Sequence, residues 1–145
     1  MSGLKEAAYL QFKNAGNLGD LLKHQGLLLL IERIIERVNP PKIAYVESHA
    51  GAGRFCITKQ RIHRIAKDKV QLSPDPMHWQ LFDRYNPRIQ EGIYLGSFAL
   101  VFHRLADWQR SDAQREVRGR LWENHPTALE RINEFRSELI PTSVS

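Results

Sequence analysis

Glu47 closes the apolar run Ile43-Ala44-Tyr45-Val46, and the turn Gly51-Ala52-Gly53 follows it closely. An acid at the end of a buried strand, followed by a Gly-x-Gly turn that opens a helix, lets backbone approach a nucleotide-like ligand. The acid then stands at the carboxyl edge of the sheet, where open α/β folds bind ligands. A phosphate loop requires Gly-Lys-Ser/Thr after the turn, and Gly53-Arg54-Phe55 does not supply it. A dinucleotide fingerprint requires a third glycine, and Cys56 occupies that position. S-adenosylmethionine remains, because its adenosine and methionine halves need a close turn but no pyrophosphate cradle. The competing reading is an ordinary tight strand-to-helix connection.

Two further sets of residues carry chemistry. Glu123 ends a second candidate strand, Val117 to Glu123, the place from which an acid bonds ribose hydroxyls in nucleotide-binding α/β folds. A charge-assisted bond of that kind is worth roughly 1.5–3 kcal/mol. The acid ordinarily follows the glycine turn by about 20 residues, so the longer gap here requires that residues 57–92 be inserted. The second set is cationic: Arg54, Lys59, Arg61, Arg64, Lys67 and Lys69 face Asp68 alone within residues 54–69, which equals the net charge of the whole chain, +5. Arg61, Arg64, Lys67 and Lys69 are candidates for nucleic-acid phosphates, and equally for a solvated helix face.

These residues must be held by a small set of elements. Asn17 reads as an N-cap with Asp20 reaching back to it, and Leu27, Leu28, Ile31, Ile34, Ile35 and Val38 mark one helical face. The helix ends before Asn39-Pro40-Pro41. His24, a turn before Leu27 and Leu28, sits at the buried edge of this helix, where a satisfied core histidine is the ordinary outcome. Strand one spans Lys42 to Ser48. A basic helical stretch follows the turn, with breaks at Ser73-Pro74-Asp75-Pro76 and Asn86-Pro87, and Tyr94-Leu95-Gly96-Ser97 opens a helix through Trp108. Ser97 there caps the helix or bonds a ligand carboxylate, with capping the simpler role. Pro126 stands in the first turn of a last helix striped by Leu129, Ile132, Phe135 and Leu139.

The chain has 145 residues, 42% of them hydrophobic, enough for one α/β domain with its own core. Its one cysteine, Cys56, supports neither an internal disulfide nor a cysteine-based zinc site, which suits a reducing cytoplasm; a small buried hydrophobe is its expected role. The N-terminus has no signal-peptide layout, and the longest apolar run, Leu27 to Ile31, is too short to span a membrane. Trp79, Trp108 and Trp122 are expected to be buried.

Four ordered segments carry a resemblance: Asn14-Ala15-Gly16-Asn17-Leu18-Gly19-Asp20-Leu21-Leu22-Lys23-His24, then Glu47 to Phe55, then Tyr94-Leu95-Gly96-Ser97, then Glu123-Asn124-His125-Pro126. From about Tyr9 onward the chain resembles the RlmJ-type adenine-N6 methyltransferases of large-subunit ribosomal RNA, members of which have also been labelled as external DNA catabolism proteins. The resemblance implies a Rossmann-like S-adenosylmethionine-dependent methyltransferase fold with a helical insertion over residues 57–92. It implies cofactor-binding roles for Lys23, His24, His49, Gly51, Gly53, Ser97 and Glu123, a substrate-side role for Tyr9, no metal, and ribosomal RNA, or else DNA, as partner.

Departures from the family pattern are equally specific. Gln11 and Lys13 replace its histidine and phenylalanine near Tyr9, and Leu95 and Phe98 replace the two prolines of its third motif. The family's Asp/Asn-Pro-Pro-aromatic motif, which holds the adenine amine, has no counterpart: Asn39-Pro40-Pro41-Lys42 precedes strand one and lacks the aromatic. The expectation is therefore a single partial methyltransferase domain with an incomplete sheet, inactive alone and prone to self-association through an uncovered sheet edge. The alternative is a non-catalytic RNA- or DNA-binding module on a degenerate half-fold.

Overall fold

The computed structural model describes residues 14–139. It is a mixed α/β arrangement of five helices around two small two-stranded sheets, compatible with an incomplete Rossmann-like fold. Helix α1 (Leu18–Arg37) begins as its sequence dictates: Asn17 accepts a bond from the Asp20 N–H at 2.9 Å, and Asp20 in turn accepts from the Gly16 N–H at 2.9 Å. The first satisfies a backbone donor that a helix start leaves without an intrahelical partner, and the second ties Asp20 to the residue before the cap. At the other end Asn39 takes φ 45° and its N–H returns to the Ile34 carbonyl, the left-handed stop that asparagine tolerates better than most residues.

Strand β1 (Lys42–Glu47) pairs in parallel with β4 (Glu116–Leu121), in a register that sets Ile43 beside Val117 and Glu47 beside Leu121. Between them the chain forms β2 (Arg54–Cys56), α2 (Lys59–Leu72), α3 (Gln80–Tyr85), β3 (Ile93–Leu95) and α4 (Ser97–Arg110), with short 3-10 turns at Pro76–Trp79 and Ile89–Glu91. Helix α5 (Pro126–Leu139) follows β4, with Pro126 at its start. The glycine turn therefore opens into a strand rather than a helix. Strand β2 pairs antiparallel with β3, placing Phe55 opposite Tyr94, both buried. The intervening helical excursion leaves and returns at adjacent points, closed by the Ile57 N–H on the Gly92 carbonyl at 2.8 Å.

Leu21 and Leu28 of α1 share one core cluster with Ile65, Trp79, Phe82, Tyr94 and Leu100. In a second cluster Ile31 meets Val101, Leu105 and Trp108 above Ile43, Tyr45 and Val117 of the parallel pair. A third holds Phe98 and Ala99 against Leu121 and Ile132. Several expectations require correction here. Ile34 and Val38 are exposed although they continue the α1 stripe, and Leu129 is exposed while Ala128 takes the inward position on α5. Cys56 is exposed at the end of a hairpin strand, because its neighbour Phe55 takes the core side of the alternating strand. Trp122, one residue past β4, is 52% exposed, whereas Trp79 and Trp108 are buried as expected.

Candidate functional site

The carboxyl ends of β1 and β4 lie side by side, and the residues that follow each strand extend the contact. The Trp122 N–H bonds the Glu47 carbonyl at 2.9 Å, and the Ala50 N–H bonds the Trp122 carbonyl at 3.1 Å. This carries the glycine turn onto the edge where β4 ends. Gly51 and Gly53 take φ 66° and 73°, a region that L side chains enter only at a cost.

Glu123 joins the two strand ends. One of its oxygens accepts the Gly51 N–H at 2.8 Å, and the other accepts the N–H groups of Asn124 and His125 at 2.9 Å each. Partial burial works against its charge, but the backbone donors of His125, Gly51 and Asn124 outweigh it and hold the carboxyl below its ordinary range. A carboxylate has about four lone-pair sites, so the oxygen facing Gly51 retains acceptor capacity. The side chain clamps the turn and can also receive a hydroxyl.

Glu47 and Ser97 also meet. The Ser97 hydroxyl donates to one Glu47 oxygen and the Tyr45 hydroxyl to the other at 2.7 Å. Burial, then the bond to Glu47, pushes the Tyr45 phenol up, so it stays a donor. The expected capping role of Ser97 is not what the fold uses: Gly96 is the N-cap of α4 and makes no side-chain cap bond. Sequence reasoning missed Tyr45; the signal was its place two residues before Glu47, on the same side of an extended strand.

Gly53 differs from expectation. A Cβ on it would stand 2.1 Å from the Phe98 ring, and its carbonyl accepts the Gly96 N–H at 2.8 Å. The space left by the missing side chain is filled by Phe98, the residue that replaces a proline of the family pattern. Close backbone approach here serves α4 packing.

The Lys23-His24 pair splits. Lys23 is 61% exposed and lies 3.5 Å from Asp20. His24 is buried with its Nδ1 2.6 Å from the Tyr94 hydroxyl. Burial, reinforced by the Lys23 charge, lowers the imidazole pKa to about 4, and burial likewise pushes the Tyr94 phenol up. A neutral imidazole against a protonated phenol is a satisfied core pair. His49 is exposed, its Nδ1 2.9 Å from the Ser48 hydroxyl. Tyr9 lies outside the described residues.

Of the cationic candidates on α2, Arg64 bonds Asp68 at 3.1 Å and Lys69 bonds Asp83; Arg61 is half-buried and Lys67 exposed. The buried residues of this helix are Ile65 and Asp68, so its polar face is solvated. A concentration of arginines that sequence order conceals lies elsewhere: Arg54, Arg84 and Arg88 line one cleft of about 350 Å³. A groove of about 430 Å³ runs between α1 and the Met77–Arg84 segment. Neither cavity is lined by a residue of the glycine turn. Among the described residues no helix is long and apolar enough to cross a membrane.

Comparison with family models finds no match to this chain. No curated protein or solved structure matches it either.

Proposed function

We propose that this chain is the S-adenosylmethionine-binding portion of a methyltransferase whose target, by resemblance, is adenine N6 in large-subunit ribosomal RNA. The observation that carries the reading is the 2.8 Å bond from the Gly51 N–H to Glu123. It brings a glycine turn and an acid, each following one of two adjacent parallel strands, to the sheet edge where α/β folds bind nucleotides. In this reading the turn at Gly51 approaches the adenosine and the remaining acceptor capacity of Glu123 takes a ribose hydroxyl. The backbone N–H groups of the α4 N-terminus, beginning at Ser97, face the methionine carboxylate, which helix N-termini favour. The cofactor supplies an electrophilic methyl group, and the chain binds and orients it. Lys23, His24 and His49 belong to the proposal through the resemblance alone.

Titration calorimetry with S-adenosylmethionine, its demethylated product and NAD tests this. Binding of the first two in preference to NAD is expected. Glu123→Gln, which keeps an acceptor oxygen and loses the charge, should weaken that binding by roughly 1.5 kcal/mol or more. Preference for NAD would overturn the reading. One observation favours the alternative of a nucleic-acid-binding module without transfer activity: the Phe98 ring occupies the space beside Gly53. Under that alternative the same titrations show no cofactor binding.

A further inference from the structure

We propose that the arginine-lined cleft between the β2–β3 hairpin, α3 and α4 binds the phosphate of a nucleotide unit, with the adjoining apolar wall receiving the sugar or base. Arg54 comes from β2, Arg84 from α3, Arg88 from the loop after α3 and His103 from α4. These four positions are 54, 84, 88 and 103, and only the fold makes them neighbours. The one acid in the lining is Asp107. Its carboxylate already accepts the Tyr85 hydroxyl at 2.8 Å and pairs with the Arg110 guanidinium, so it does little to neutralise Arg84 and Arg88, the two arginines on which the proposal rests. Arg88 pairs with Glu91 at 2.8 Å, with both side chains more than half exposed. Such a surface pair contributes little and yields readily to a phosphate, which guanidinium groups bind bidentately.

The cleft has the size and the mixed polar and apolar lining of a small-ligand site. About 350 Å³ lies within the range of about 300–1,000 Å³ typical of such pockets. Beside the cations the lining includes Tyr85, Pro87, Ile93 and Leu95, a surface suited to an uncharged ring. Ile93 and Leu95 lie on the hairpin face opposite Phe55 and Tyr94, which turn into the core. Arg54 follows Gly53 directly and Leu95 precedes Gly96 directly, so the cleft adjoins the proposed cofactor edge. The inference rests on the RNA-directed part of the reading above, and it moves the phosphate contacts off the α2 cluster.

The test uses the full chain with three probes: inorganic phosphate, adenosine 5′-monophosphate and a single-stranded oligoadenylate RNA. Both nucleotide probes are expected to bind more tightly than inorganic phosphate, and Arg84→Ala/Arg88→Ala should weaken each by about tenfold or more. For the oligonucleotide, the slope of log affinity against log salt should fall by about 0.7 for each arginine removed. Affinity that rises from mononucleotide to oligonucleotide assigns the site to an RNA strand; equal affinities assign it to a free nucleotide. S-adenosylmethionine affinity measured on the same samples separates the two ideas. Loss of cofactor binding with retained arginine-dependent nucleotide binding removes the methyltransferase reading and leaves this site standing. Nucleotide affinities unchanged by Arg84→Glu/Arg88→Glu, or a larger loss from Arg61→Ala/Lys67→Ala on α2, would overturn it.

Discussion

Glu123 and His24 are two side chains whose protonation the fold controls in the acidic range, and they act in the same pH direction for different reasons. Glu123 is held below its ordinary 4.5, so its contribution is present above that value and is lost as pH falls through the folded-state value. His24, lowered from 6.5 to about 4, must stay neutral in the folded chain while the unfolded chain takes up a proton below 6.5. Between these values the unfolded state binds more protons, so stability falls as pH falls. At about 1.4 kcal/mol per pH unit the histidine accounts for a loss of about 3 kcal/mol between pH 6.5 and 4. Urea denaturation at a series of pH values should show this slope, and His24→Gln should flatten it while Glu123→Gln flattens only the more acidic part. A slope unchanged in His24→Gln would mean that the imidazole is charged in the fold.

At the scale of elements, the contact between Gly53 and Phe98 makes the sharpest prediction. Alanine at position 53 would place a Cβ 2.1 Å from the ring at φ 73°, combining a left-handed cost of about 1–2 kcal/mol with overpacking of about 1–3 kcal/mol. A loss of about 2–5 kcal/mol is expected from denaturation midpoints. Phe98→Leu should make the second change cheaper, with a coupling of about 0.5–3 kcal/mol in the double-mutant cycle. Strict additivity would show that the ring is not what fills the space. What could be read in advance at this scale was what local chemistry decides: the Asn17 cap, the stop at Asn39, strand β1 from its apolar run, and Pro126 at the start of α5. Strands β2 and β3 were not legible, because three residues acquire strand character only by pairing with partners some forty positions away. Ser97, Gly53 and the arginine cleft follow the same rule. The types and positions of Ser97 and Gly53 suggested a cap and a ligand turn, Arg84 and Arg88 carried no local signal, and only tertiary neighbours give all of them their contacts.

The whole molecule leaves sheet surface without a partner among the described residues. Strands β1 and β4 pair only with each other, and the face turned from the core exposes Val46 by 58%, with Trp122 beyond it at 52%. Unpaired edges and apolar sheet faces invite association between chains. Sedimentation should therefore show concentration-dependent association, reduced by Val46→Lys/Trp122→Lys; a monomer at all concentrations would contradict this. Under the proposal above, the edge where β1 and β4 end holds the cofactor. Backbone amide shifts recorded while the demethylated product of S-adenosylmethionine is titrated test it most directly. The largest changes are expected at Gly51, Ala52, Ser97 and Asn124, whereas saturable binding that moves none of these four amides would overturn the proposal.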